Sequence, residues 1–334
     1  MRIRVLFLSL VLVLALEIPT ARAADRVTVA VGSQGTMDYV QLEIAHALGY
    51  FAEQGLDVDL KYFASGTMAA TALLSGTVDF SANSFDQAMK TMLKGKPLTA
   101  IAAFTEVPGV RILVASAHRD AVRQPADLKG RSVAVTGLGA YSHLILSHVL
   151  VSSGLRPDDV EAIPVGAEAL AAALENGRVD AMMAAGLLGA KLVESGRAYV
   201  LLDLQSRVAA ERLFGAPYLK GSLMTRPGVC AERPEVCARL ARGIVKAARW
   251  IERRASADIA AALPATLVQD RRLYAAALDE NRGGFSRTGR IDPRAVDTVV
   301  ATYRTSGAIS ASQAVDTTVL YDNRFVDLAL AEER

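Results

Sequence analysis

The residues best able to do chemistry gather in one stretch, Ser132-Val-Ala-Val-Thr136-Gly137-Leu138-Gly139-Ala140-Tyr141-Ser142-His143. It offers three aliphatic hydroxyls beside an imidazole, a phenol and two glycines. The β-branched run at its start reads as a strand. The glycines supply the positive φ of a tight turn. Leu144, Ile145, Val149 and Leu150 then follow at helical spacing. A strand, a glycine turn and a helix start leave N–H groups and the positive end of the helix dipole facing a crevice, which suits an anion. Most such joints bind nothing, so the stretch is at most half of a site. A dinucleotide fingerprint is the sharper alternative, because Gly137-x-Gly139 is present. Ser142 stands where its third glycine or alanine belongs. The next strand ends in Pro164-Val165-Gly166 instead of an acid for a ribose.

Other reactive residues are scattered. His46, His118 and His148 fall on separate segments, and nothing brings them to acids at metal-ligand spacing. No metal site or cofactor is expected. No set of nucleophile, base and orienting group is readable. Arg111 interrupts the β-branched run 110–115. It reads either as a bidentate anion partner or as a charge snorkelling at a strand start. Glu106, before Val107-Pro108, reads as an acid that pairs with a ligand cation or with Arg111. Cys230 and Cys237 flank a turn leading into a helix. Outside the cytosol such a pair closes into a disulfide; the alternative is two free thiols, with Cys237 on a helix core face.

The elements that must position these residues occupy a chain of 334 residues, long enough for two domains. Residues 1–23 read as an export signal. Arg2 and Arg4 are its charged start, Val5 to Leu16 its apolar core, and Ala21-Arg22-Ala23 its cleavage site. The apolar run is too short to span a membrane. The mature chain is expected to begin at Ala24, in the periplasm, soluble and monomeric. The segment carries three basic residues and one acid, so its removal takes the formal charge from +2 to zero. No basic stripe points to nucleic acid or an anionic membrane.

Strands and helices then alternate. Strands are predicted over 27–31, 58–63, 78–81, 98–104 and 110–115, then over 132–136, 160–165, 179–183, 199–203 and 220–225. Helices are predicted between most of them, and the tail after 225 is helical. This β-α-β-α order implies mainly parallel sheets flanked by helices, an α/β fold. One segment recurs: Ala72-Leu73-Leu-Ser-Gly76-Thr-Val78-Asp79 returns as Ala173-Leu174-Glu-Asn-Gly177-Arg-Val179-Asp180. A repeat one domain length apart suggests two similar lobes.

Ala45-His-Ala-Leu-Gly49-Tyr50-Phe51-Ala-Glu-Gln-Gly55-Leu56-Asp57-Val58, the repeated corner, and Asp127-Leu-Lys-Gly130-Arg-x-Val133-Ala-Val135 carry a resemblance. So do Gly154-Leu155 with Asp158-Asp159-Val160, and Gly177-Arg-Val179-Asp180-Ala181. With these motifs the chain resembles the periplasmic substrate-binding proteins of ABC importers for nitrate, sulfonates, taurine and thiamine-pyrimidine precursors. The resemblance covers roughly residues 25–225. It implies a two-lobed periplasmic binding protein of type II that closes about a hinge. Lobe one would be 24–115 with 220–334 and lobe two 116–219, with crossovers near Ser116 and Lys220. The implied cleft residues of lobe one are Gln34, Met37, Tyr39, Ser65, Gly66, Thr67, Ser84, Glu106 and Arg111. Those of lobe two are Thr136, Gly139, Ala140, Tyr141, Ser142, His143 and Gly186. Hydroxyls and amides would hold an anionic head, and Tyr39 and Tyr141 would pack an apolar body. Ala140 replaces the serine the family often carries at this turn, which shifts the expected solute from a sulfonate toward a carboxylate or a neutral heteroaromatic.

The partners implied are a small solute and the permease and ATPase of an importer. A periplasmic sensor subunit would use the same pocket; a neighbouring receptor-kinase gene would mark it. Fungal pyrimidine synthases and menaquinone-pathway lyases resemble the same scaffold. The synthases carry a cysteine-rich cluster that this chain lacks, and both groups work inside the cell.

Overall fold

The computed structural model describes residues 24–32, 36–185 and 189–332. The predicted export segment 1–23, Gln34 and Gly186 lie outside them. The ten strands are β1 (Asp25–Val31), β2 (Leu56–Tyr62), β3 (Phe80–Ser84), β4 (Thr99–Ala103) and β5 (Val110–Ala115), then β6 (Ser132–Val135), β7 (Glu161–Pro164), β8 (Ala181–Ala185), β9 (Ala198–Asp203) and β10 (Gly221–Thr225).

They form two five-stranded sheets, ordered β2-β1-β3-β10-β4 and β7-β6-β8-β5-β9. In each sheet four strands run parallel and one, β10 or β5, runs against its neighbours. Both reversed strands carry a register shift, at Leu223/Met224 and at Ile112/Leu113. β5 therefore does in the second sheet what β10 does in the first. This corrects the sequence reading, which left 110–115 in the first lobe with a crossover near Ser116. The chain crosses ahead of β5, over residues 104–109. The periodicity of β5 marks a strand, but only its pairing with β8 and β9 assigns it to a sheet.

The repeated corner has a physical reason. Asp79 Oδ2 accepts from the amide and hydroxyl of Thr28 at 2.8 and 2.9 Å. Asp180 Oδ2 accepts from the amide and hydroxyl of Ser132 at 2.9 and 3.0 Å. Each carboxylate ties its corner to a neighbouring strand, at Thr28 in the middle of β1 and at Ser132, the first residue of β6. Burial alone would raise the Asp180 carboxyl, but the Ser132 bonds hold it below the usual range. These side-chain bonds also explain why β3 and β8 start later than predicted, since Asp79 and Asp180 are occupied as corner residues.

The first core packs Val27, Val29 and Val31 against the helix Pro234–Glu252 through Leu240, Ile244 and Val245. Each such side chain contributes about 1.5–3 kcal/mol when fully buried. A second core runs through both sheets, from Ala30 and Phe85 to Val110, Ile112 and Val114 and on to Tyr218. The sequence reading missed the helix Arg207–Phe214 and the single turn Val229–Glu232. Ser206 ahead of the first and Gly215 at its end are the punctuation that marks it. Cys230 and Cys237 are joined in a disulfide, with Cα atoms 5.7 Å apart.

Candidate functional site

The two crossovers lie side by side. Lys220 N–H donates to Thr105 O and Tyr218 N–H to Glu106 O, each at 3.0 Å. Phe104 N–H donates to Gly221 O at 2.8 Å. Gly221 is required here: a Cβ would stand 2.4 Å from Asp38 O and 2.7 Å from Thr105 Oγ1. The loop after β1 is thus pressed onto the second crossover.

On this floor Lys220 is the central charge. Its Nζ lies 3.1 Å from Asp38 Oδ2 and 4.1 Å from the centre of the Tyr141 ring. Lys220 is 9% exposed, so the cation is held by a carboxylate and an aromatic face instead of water. Tyr141 in turn donates its hydroxyl to Pro108 O at 2.9 Å and meets Tyr218 edge-on at 6.2 Å. Burial, then Tyr218, Asp38 and Asp86, keep the Tyr141 phenol protonated well above its ordinary range. Asp38, Lys220 and Tyr218 were not among the predicted site residues. Asp38 reads in sequence as a helix cap and Lys220 as a crossover residue.

The second-lobe half is a self-supporting turn. Ser142 Oγ accepts from Thr136 N–H at 3.0 Å and lies 2.8 Å from Thr136 Oγ1. His143 Nδ1 accepts from Gly139 N–H at 3.0 Å, and burial lowers its imidazole below the ordinary value. The helix Tyr141–Ser152 opens on Ala140 with no side-chain cap. Its first N–H groups therefore have no partner from that source. Ser142 and His143 hold the turn, while Tyr141 faces the crossovers.

The first-lobe half is built on Asn83, which the sequence reading passed over. Its side chain donates to Gly66 O at 2.7 Å and accepts from Ser84 N–H at 2.9 Å. A Cβ on Gly66 would come within 2.4 Å of Asn83 Oδ1. Asn83 so ties the end of β3 to the helix Gly66–Leu74, whose Met68 N–H is capped by Ser65 Oγ at 3.3 Å. Thr67 is exposed. Ser84 Oγ is buried without a hydrogen-bond partner among the described residues.

Four predicted contacts have other work. Met37 and Tyr39 are 5% and 4% exposed and belong to the first core. Tyr39 meets Phe104 edge-on at 6.2 Å, so its ring packs the lobe and is not a free cleft wall. Glu106 pairs with Arg207 at 2.5 Å, not with Arg111. Arg111 pairs with Asp203 at 3.0 Å and Glu280 at 2.7 Å. A charge in a β-branched run was legible, but its partners were not.

The chain is 24% identical over 161 residues to a 4-amino-5-hydroxymethyl-2-methylpyrimidine phosphate synthase of Saccharomyces cerevisiae, covering 48% of this chain and 46% of the synthase. It is 29% identical over 142 residues to the formylaminopyrimidine-binding protein of Halalkalibacterium halodurans, covering 42% of each. The chain thus spans about half the length of these curated relatives. A solved Bordetella bronchiseptica protein is 27% identical with a TM-score of 0.79, over 94% of this chain and 98% of that one. A Methylobacillus flagellatus protein described as the periplasmic sulfonate-binding protein SsuA has a TM-score of 0.73 at 18% identity, over 93% and 95% of the chains. That second likeness shows the fold, the two-lobed architecture of periplasmic binding proteins. Among the described residues no helix is long and apolar enough to cross a membrane. Residues 37–254 match the family described as NMT1/THI5 like, and with more than half of its length matched the chain belongs to that family.

Proposed function

We propose that the protein is a non-catalytic solute-binding protein that captures a small anionic or heteroaromatic solute between its lobes and delivers it, outside the cytosol, to an ABC importer. The lobes would comprise residues 24–103 with 221–332, and residues 110–203. The observation that carries the reading is the Asp38–Lys220–Tyr141 floor, where both lobes and both crossovers meet. One lobe contributes a capped helix start and the other an uncapped one. The uncapped N–H groups suit a carboxylate or a ring acceptor. Tyr141 offers a face on which a planar ring can pack. The turn hydroxyl and imidazole are engaged with the backbone, as a binding scaffold requires.

Calorimetry of the mature protein against sulfonates, aromatic carboxylates and hydroxymethylpyrimidines tests this. One tight solute is expected. Tyr141→Ala should weaken it at least tenfold, about 1.4 kcal/mol. An unchanged affinity in that variant would move the pocket away from the floor.

A further inference from the structure

The first lobe carries a cavity that shares no residue with the cleft. It measures about 600 Å³, and six side chains line it: Tyr50, Lys246, Arg249, Trp250, Arg253 and Arg254. Each of the six is aromatic or cationic. Lys246, Arg249, Trp250 and Arg253 come from the helix Pro234–Glu252 and its C-cap. Their spacing of i, i+3, i+4 and i+7 puts them on one face. Ile244, Val245, Ala247, Ala248 and Ile251 are buried on the other side of the same helix. In sequence order these cations stand among apolar residues, so the segment reads as an amphipathic helix and not as a basic stripe. The fold adds Tyr50, from the short helix Tyr50–Glu53.

The rings are walls with cations laid on them. Lys246 Nζ lies 4.5 Å from the centre of the Tyr50 ring, and Arg254 Cζ lies 5.6 Å from that of Trp250. Two acids stand beside the cavity, and neither lines it. Glu53 pairs with Lys246. Glu252 lies 3.6 Å from Arg249 and 3.7 Å from Arg287. Four lining cations against two carboxylates leave the cavity positive. Arg253 and Arg254 are exposed.

Cations near a helix C-terminus commonly serve its last carbonyls. Here Arg282 does that work. It donates to Ile251 O at 3.1 Å and to Arg254 O at 2.6 Å. The lining cations are therefore in excess of what the helix end needs.

We propose that this cavity is a second binding site, one that takes a phosphate group. Guanidinium forks match phosphate oxygens in pairs, and the ammonium of Lys246 adds a point charge. Trp250 is half-buried and has an N–H that can only donate, which suits an oxyanion. A phospholipid headgroup and a soluble phosphate present the same oxygens, and the experiment separates them. The site needs neither the cleft nor its solute, so it stands apart from the solute-binding reading.

Two probes test it at about 20 mM salt, where exposed charges are weakly screened. One is inorganic pyrophosphate, followed by calorimetry. The other is vesicles of phosphatidylglycerol in phosphatidylcholine, followed by co-sedimentation. Trp250 is the single tryptophan of the chain, so its emission reports on the cavity. Saturable binding of either probe is expected, with a shift in that emission. Pyrophosphate alone would assign a soluble ligand, and vesicles alone a headgroup. Arg253→Glu with Arg254→Glu should weaken binding roughly tenfold or more. Arg253→Gln with Arg254→Gln should also weaken it, without reversed charges at the helix end. Arg271→Glu with Arg272→Glu makes the same charge change at exposed positions on another helix. That control, and Tyr141→Ala in the cleft, should each stay within about twofold of the parent. Failure of both probes to bind would overturn the proposal. So would an equal loss in the control at 271 and 272, which would make overall charge the cause. A loss in Tyr141→Ala would put the anion in the cleft instead.

Discussion

Lys220 and Asp38, separated by 182 residues in sequence, form an ion pair at 3.1 Å in which the cation also lies 4.1 Å above the Tyr141 ring. The pair joins the second crossover to the first-lobe loop, and the ring joins both to the second lobe.

Removing one member should cost more than removing both. Lys220→Met leaves the Asp38 carboxylate largely buried and unmatched, at an expected cost of about 2 kcal/mol. Lys220→Met with Asp38→Asn removes the stranded charge and should recover about half of that loss. Urea unfolding of the four members of this cycle gives the coupling directly. Purely additive losses would show that the two groups do not sense each other.

The matched carboxylates of the repeated corner predict matched penalties. Asp79→Asn and Asp180→Asn each replace two charge-assisted bonds to a residue of a neighbouring strand with weaker neutral ones. Each should cost about 1–3 kcal/mol. The bonds differ by no more than about 0.1 Å, so the two losses should agree to within about 1 kcal/mol, the spread expected of such measurements. A loss confined to one lobe would deny the corners a common role.

Glu43 predicts a pH dependence of definite sign. It is 6% exposed and accepts the Tyr62 hydroxyl at 2.7 Å. Burial raises its carboxyl from 4.5 to about 7, against the lowering effect of that bond. Between those values the folded chain keeps a proton that the unfolded chain releases. Its contribution to stability is therefore fully present below about 4.5 and is lost as pH rises through about 7. Glu43→Gln cannot ionise and keeps an oxygen for Tyr62. Its stability relative to the parent should rise from pH 5 to pH 8 by about 1–3 kcal/mol. Denaturant melts at both pH values check this, and a pH-independent difference would place the titration elsewhere.

The backbone plan was largely legible. All ten strands were anticipated; β1, β5 and β6 carry β-branched runs, and a strand's periodicity is a local property. Membership in a sheet is not local, which is why β5 was assigned to the wrong lobe. The turn 136–143 was readable from its glycines, and Tyr141 from its place at the helix start. Tyr39 was misread because an aromatic after a glycine loop looks the same whether it faces solvent or the core. Lys220 carried no signal of its own, since its meaning lies in Asp38 and Tyr141. Asn83 had one: an amide at a strand end, next to a serine, is a common anchor for loop backbone.

The position of β10 has a consequence for biosynthesis. It lies between β3 and β4, yet it leaves the ribosome only after every strand of the other sheet. Until then β3 and β4 have a gap between them, with two unpaired edges open to solvent or to another chain. A nascent chain must therefore be kept from aggregating while half of it is unfinished. A fragment ending at Tyr218 should sediment as aggregate where the full chain stays in the supernatant.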